Sequence, residues 1–431
     1  MALTKIITDG ITDDAVTEAK LANAINTAVA ANTAKDLTAL SASNLTSGTI
    51  PDARFPATLP AASAANLTAV PAANITGTLP AISGANLTGI STTPADGSIT
   101  QAKLNFPVAN RNLVINGAMQ VAQRGTSFTP SGTEQPYTID RFQHIGTSGI
   151  DFDSTDTQSA DHPDGFAFSM KLTPDSTDTP TGSANATIQH RIEGQDMQDL
   201  AYGTSSAKQI TLSFYAKSSS QNNGHQYGVE LAHYATDGTR RLINASFTVT
   251  SSWQRFTFTF DGDTAQDIVN SNARGFDVNI HLASGSDDIA THTSWDTNSL
   301  FRTPTGQSNF LDNTSNEFYI TGIQLERGSV ATDFEHRSYG QELALCQRYC
   351  YKHDIQSNIG PYFTQYQANH KFVHDFFPVT MRAQPSHTIT YNTGSPTAYY
   401  PSTNHFKAYV SSNYDAGGST FIQSAIYTAE L

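Results

Sequence analysis

At 431 residues, with 38 Asp and Glu against 24 Lys and Arg, the chain carries a formal net charge of −14 and has room for about two to four domains. That balance disfavours nucleic acid or an anionic membrane as partner, since both call for concentrated Lys and Arg; an acidic surface rich in hydroxyls and amides suits neutral or cationic ligands instead. Charged residues make up 14% of the chain, against roughly 25% in ordinary soluble proteins, and no apolar run reaches the ~18 residues of a membrane span.

The start, MALTKIITDG, carries Asp9 where a signal peptide is apolar, so the expectation is synthesis in the cytosol without membrane insertion. From Ile11 to Ala31, Val16, Leu21, Ile25 and Val29 fall near helical spacing, with Asp13 and Asp14 placed for the start. The spacing predicts a short amphipathic helix. Its fragment DAVTEAKL (Asp14 to Leu21) returns as GSITQAKL (Gly97 to Leu104), so one small module brackets what lies between.

That intervening stretch is repetitive. LPAASAANLTAV (Leu59 to Val70) returns after twenty residues as LPAISGANLTGI (Leu79 to Ile90), and ASNLTSGTIP (Ala42 to Pro51) matches AANITGTLP (Ala72 to Pro80) with one residue inserted. Between Leu37 and Ala95 the only charged residues are Asp52 and Arg54. Apolar residues such as Leu45, Leu67 and Leu87 come singly, and each needs a neighbouring chain to cover it. The expectation is an intertwined homo-oligomeric shaft. Asn-x-Ser/Thr triplets at Asn44, Asn66, Asn74 and Asn86 read as repeat chemistry, because a chain without a secretory signal does not meet the glycosylating enzyme.

Beyond Asn105 the pattern becomes that of alternating strands. QITLSFYAK (Gln209 to Lys217), QYGVELAHY (Gln226 to Tyr234), RLINASFTV (Arg241 to Val249), WQRFTFTFD (Trp253 to Asp261), GFDVNIHLA (Gly275 to Ala283) and NEFYITGIQLE (Asn316 to Glu326) all read as β. In the fourth, Phe256, Phe258 and Phe260 take one face while Arg255, Thr257 and Thr259 take the other. Evenly spaced strands with Gly, Asn, Asp and Ser turns predict a β-sandwich of jelly-roll type. SYGQELALCQRYCYK (Ser338 to Lys352) reads as a connecting helix in which Cys346 and Cys350 share a face with Leu343 as small buried residues, too few for a metal or redox site. The tyrosine-rich remainder reads as a small terminal β domain with turns near Asn392 to Pro396 and Asp415 to Gly418.

The catalytic signatures sought are absent: no nucleophile elbow, Walker loop, Rossmann fingerprint, HExxH helix or zinc-ligand spacing. The densest carboxylate cluster is Asp151, Asp153 and Asp156 with Asp161 and Asp164, whose spacing departs from a calcium loop and reads as a solvated loop. His370 and His374 share a strand face about 13 Å apart, too far for one chain to chelate with both. Neither a catalytic residue, a metal nor a cofactor is expected. For ligand binding, Trp295 in the polar loop THTSWDTNS is the candidate for an exposed aromatic, and Trp253 reads as core. Tyr399 and Tyr400, in the punctuated stretch YNTGSPTAYYP, are the candidates for receptor contact.

Three stretches carry a resemblance. NLVINGAMQVAQRGTSF (Asn112 to Phe128) followed by YTIDRF (Tyr137 to Phe142) resembles the opening of a bacteriophage tail fibre module, itself similar to family 4/9 carbohydrate-binding jelly rolls. FYITGIQLERGSVATDFEHRSYGQELALCQRYCYK (Phe318 to Lys352) resembles that module's closing strand and following helix, and FPVTMRAQP (Phe377 to Pro385) resembles the Met-Arg-x-x-Pro element of fibre tips. The resemblance implies a mainly β, elongated homotrimer, assembled in the host cytoplasm and carried on the tail of the virion. In that arrangement residues 1–35 dock on a tail adaptor or baseplate protein, 36–105 form the shaft, 106–337 the jelly roll, 338–352 the connecting helix and 353–431 the tip. The implied function is non-enzymatic recognition of a host surface polysaccharide. The alternatives are a polysaccharide depolymerase tailspike using Asp151 or Asp153, and a purely structural virion fibre.

Overall fold

Strands with one apolar and one polar face gain most by stacking two sheets with their apolar faces inward, and most of this chain does that. The structure is a computed structural model that describes residues 23–33, 110–297, 302–354, 363–367, 370–391, 398–411 and 422–431. The chain divides into two compact units, residues 1–90 and 91–431. In the first, helix α1 (Asn23–Thr33) falls in the predicted helical stretch, with Ile25 and Val29 exposed on its surface. Val16, Leu21, the repeats and the second copy of the bracketing module lie outside the described residues.

The second unit is mainly β, as expected. A six-stranded sheet runs in the order β1 (Ser127–Phe128), β3 (Ser154–Ser159), β4 (Ser169–Pro174), β11 (Phe318–Arg327), β6 (Ile210–Ser218) and β9 (Gln254–Phe260). A five-stranded sheet runs β2 (Phe142–Gly146), β5 (Asn185–Glu193), β10 (Arg274–Ser284), β7 (Gln226–Tyr234) and β8 (Arg240–Thr248). All six strands expected from the alternation are present, within about two residues at each end. Strand β5, missing from the sequence reading, lies inside the second sheet between β2 and β10.

The two sheets share one core. Ile188, Val229 and Ile280 from the five-stranded sheet join Leu172, Phe214 and Ile320 from the other, and Phe214 meets Phe247 across the gap with ring centroids 5.1 Å apart. Phe256 and Phe258 pack partly buried against this core and Phe260 is buried, so the period-two reading of β9 holds.

The segments that carried the resemblance lie against each other. Leu113 donates to the Leu325 carbonyl at 2.9 Å, Ile323 donates to the Gly117 carbonyl at 3.0 Å, and Asn112 Nδ2 reaches the Ile323 carbonyl at 3.1 Å. The opening stretch thus zips onto β11, and Glu335 beyond that strand accepts from the Asn112 backbone at 2.7 Å. Gly117 is required by contact: a Cβ there would be driven into the Ile323 carbonyl. Gly117→Ala is therefore expected to cost about 1–3 kcal/mol, read as a lower urea midpoint with an unchanged m-value.

Helix α2 (Tyr339–Gln347) opens on a capping box between Ser338 and Gln341. It stops five residues earlier than predicted, because strand β12 (Cys350–Asp354) pairs with β18 (Ile422–Thr428) and takes its backbone out of the helix. Cys346 and Cys350 are both buried thiols, as expected, but on a helix and a strand rather than on one helical face. The terminal region holds a three-stranded sheet, β12-β18-β15 (Ser386–Tyr391), and a four-stranded sheet, β13 (Phe363–Gln367), β14 (His370–Phe376), β17 (His405–Ser411) and β16 (Ala398–Pro401). The two predicted turns lie outside the described residues. The Met-Arg element is structural: Met381 is buried, and Arg382 donates to the carbonyls of Ala429, Glu430 and Asn272 at 2.7–2.9 Å.

Candidate functional site

The side of the five-stranded sheet that faces away from the core is polar, yet largely withdrawn from solvent. Register sets one row across all five strands: Gln143, Gln189, Asn279, Glu230 and Asn244. Each is buried, and so are Thr187 and His281 in the neighbouring row. Buried polar side chains are costly unless paired, so a whole buried polar face marks a built site rather than a solvated sheet surface.

The segment after β10 covers part of this face. Asn244 Nδ2 donates to the Ala290 and Arg302 carbonyls at 2.8 and 3.0 Å, and Ile289 bridges Thr303. Between segment and sheet remains a cleft of about 130 Å³. It holds on the order of ten waters, the scale of one sugar residue. Its walls include Gln189, Asn279 and Glu230 from the row, Tyr234 beyond it, and the guanidiniums of Arg240, Arg274 and Arg302.

Glu230 organises the cleft. One of its oxygens takes a guanidinium bond from Arg240 and the other meets His281 Nε2 at 2.8 Å. Burial alone would raise its pKa, but the Arg240 charge and the His281 contact outweigh it and hold the carboxyl at about 2. A hydrogen-bonded chain then leads away: His281 Nδ1 to Thr187 Oγ1 at 2.8 Å, Thr187 to Asn185 Oδ1 at 3.1 Å, and Asn185 Nδ2 to Asp288 at 3.3 Å. Asp288 behaves oppositely. Burial and the nearby Glu230 charge push it up to about 6, against the pull of His281 and Arg302.

A carboxyl raised in the fold above its unfolded value destabilises once ionised, so its contribution favours folding at low pH and is lost as pH rises through about 6. Asp288→Asn is expected to stabilise the protein at pH 8 by up to about 3 kcal/mol, with the gain gone at pH 4. Thermal unfolding of both proteins across that range checks it.

The residues singled out from the sequence lie elsewhere. Trp295 is buried, 8% exposed, and is not a surface platform. Its Nε1 donates to the Asp261 carbonyl at 2.7 Å, and its ring meets His233 at 4.9 Å and Tyr202 at 5.6 Å. The cause is a polar node in which Asp263 binds His233 at 2.8 Å and also Arg241, whose Nη2 donates to the Trp295 carbonyl. Trp253 reverses its expectation too: it is half-buried on the outer face of the six-stranded sheet, where Nε1 donates to Asp161 at 3.1 Å. Lys217 lies over the Trp253 ring at 5.5 Å and over Tyr319 at 4.6 Å, so these aromatics already serve a cation.

Tyr399 and Tyr400 belong to strand β16, not to a loop, and so point to opposite faces. Both stay exposed, Tyr399 at 42% although it packs on His387 at 4.6 Å and Phe406 at 5.8 Å, and Tyr400 at 54%. On the same sheet His374 and His405 both lie beside the exposed Phe376; burial, with Lys407 and His405, lowers the pKa of His374.

The acidic cluster does not converge. Asp156 binds His144 at 3.0 Å and Ser154 at 2.7 Å inside the sandwich. Asp153 caps Gly132 and Ser176, and Asp161 pairs with Lys217. Among the described residues no group of three or more His, Cys, Asp or Glu is placed to hold a metal ion. The cleft residues were missed because polar positions in an alternating strand read as solvated. The available signal was FDVNIHL (Phe276 to Leu282), where the polar positions are Asp, Asn and His rather than Ser, Thr or Lys.

No family model and no curated protein matches the chain. Solved structures to which it is similar include the enzymatically active domain of tailspike protein 4 of bacteriophage CBA120, at 14% identity over 50% of this chain and 21% of that one, with a TM-score of 0.27. The chain thus spans about a fifth of that domain's own length. A putative sugar binding protein from Bacteroides thetaiotaomicron is 12% identical over 50% of this chain and all of its own, with a TM-score of 0.27. A CBM4 protein is 16% identical over 50% of this chain and 99% of its own, with a TM-score of 0.26.

Proposed function

We propose that this protein recognises a host-surface glycan without chemistry, as the receptor-binding part of a homotrimeric phage tail fibre whose N-terminal residues attach to the tail. The observation that carries the binding reading is the buried polar face of the five-stranded sheet, opening on a cleft the size of one sugar residue. Amides, arginines and a tyrosine at fixed strand positions are the groups that recognise sugar hydroxyls, and a rigid sheet presents them without an ordering cost. The tail fibre context is supported by the opening, closing and Met-Arg segments of the sequence.

Binding is favoured over hydrolysis by the state of Glu230. Glycosidases work with two carboxylates flanking the scissile bond, and here both oxygens of the cleft carboxylate are engaged by Arg240 and His281. A depolymerase reading would have to recruit Asp288, which is buried behind Asn185.

The test is adsorption of the purified chain to host cells and to their extracted polysaccharide, followed by viscometry of the same polysaccharide. The expected result is saturable adsorption that Asn279→Ala weakens, with no fall in viscosity. Shortening of the polymer would replace the reading with the depolymerase. Absence of adsorption would leave a structural fibre. Light scattering should give about three times the 46.3 kDa chain mass; a single chain mass would end the trimer.

A further inference from the structure

The cleft's hydrogen-bonding capacity is lopsided. Its carboxylate and amide acceptors each already hold a partner: Glu230 takes Arg240 and His281, the Asn279 Oδ1 takes Gln189 at 2.7 Å, and the Gln189 Oε1 takes Arg191 at 2.6 Å. Behind Arg274, Asp277 is held by that guanidinium and by the Tyr234 hydroxyl at 2.9 Å. Donors are not exhausted. Nη1 of Arg240 is buried with no hydrogen-bond partner; Arg274 and Arg302 add positive charge to the lining. Among the described lining residues Glu230 is the sole carboxylate, against three guanidiniums.

A buried N–H of a charged group without an acceptor is expensive. A neutral sugar brings hydroxyls that must donate as well as accept, and here they would meet few open acceptors. A carboxylate brings acceptors only, in the planar geometry that a guanidinium fork matches. The chain's overall charge of −14 does not decide this, because charges beyond a Debye length of roughly 8 Å are screened while those in the wall are not.

We infer that the cleft takes an acidic sugar, a residue bearing a carboxylate such as a hexuronate, with Arg240 Nη1 as the donor that meets it. This rests on the glycan-binding reading and narrows its ligand class.

The test is calorimetric titration of the full chain at pH 7 with matched pairs: methyl glucuronoside against methyl glucoside, and methyl galacturonoside against methyl galactoside. At least one uronide is expected to bind on the order of ten-fold more tightly than its neutral partner, weakening several-fold as salt rises from about 50 to about 500 mM. The methyl ester of the same uronide should lose the advantage, a comparison that leaves the protein untouched. Arg240→Lys, which keeps a cation beside Glu230 but removes the fork, should erase the selectivity while near-ultraviolet circular dichroism is retained. Equal affinity within both pairs overturns the acidic-sugar inference and leaves glycan binding standing. No binding by any of the four glycosides overturns both.

Discussion

Replacing Glu430 by alanine is expected to cost about 3–5 kcal/mol, an outsized effect for a single side chain. Its carboxylate takes a bond from Arg124 Nη2 at 2.5 Å and another from Arg141. Arg141 is 1% exposed, holds a positive φ of 73°, and stacks over the Tyr349 ring at 3.5 Å. Without Glu430, Arg141 would lose its counter-charge, and Arg124 would be left to Asp140, which lies 3.5 Å from it and whose own pKa is raised by burial. Arg141 cannot turn to water, so its desolvation penalty stays and its compensation goes. The midpoint of thermal unfolding should fall on the order of 10 °C. An unchanged midpoint would mean that the sandwich does not depend on the terminal strand β18 being clamped to it. Tyr400→Ala, on an exposed strand face, should move stability by no more than about 0.5 kcal/mol.

Glu230→Gln is the second large effect, and it separates stability from recognition. A carboxyl held at about 2 in the fold, against 4.5 for the unperturbed group, stabilises the protein at all pH values above the unfolded value. That contribution is lost as pH falls through about 4.5 toward 2. The difference corresponds to about 3 kcal/mol at neutral pH. The amide also leaves Arg240 buried without its counter-charge, which puts the expected loss at pH 7 at about 3–5 kcal/mol. Urea unfolding of both proteins from pH 7 to pH 3 should show the gap narrowing below about 4.5, where the unfolded wild-type chain takes up a proton that the folded carboxyl still refuses. A gap constant with pH would show that the pair is not ionic. Glu230 and Asp288 thus give opposite slopes from the two ends of one hydrogen-bonded chain, one carboxyl stabilised by a guanidinium and the other penalised by burial.

Most of the sandwich was legible in the chain because period two is a local property. FTFTF in β9 and the exact span of β7 can be read without knowing what lies across the core, since a half-buried strand writes its two faces into alternate residues. The zip between the opening segment and β11 was half visible: the motifs stood out in the sequence, but that they touch each other required the fold. Helix α2 was overextended because the run around Cys346 suits a helix, and only the pairing of β12 with β18 withdraws Cys350 from it.

The site was another matter. Exposure of a tryptophan depends on what else reaches it, and Trp295 is drawn inward by Arg241, Asp261 and His233, residues 34 to 62 positions away along the chain. The same limit hid the cleft. Gln189, Glu230, Asn279 and His281 look like ordinary outward positions of two-face alternation in three separate strands, and nothing in any one strand says that its polar side is roofed. Local alternation and charge already dictate a mainly β chain with an apolar core; whether a polar face meets water or a ligand is settled only by the distant segments folded over it, because burial is a property of the assembled surface and not of the residue.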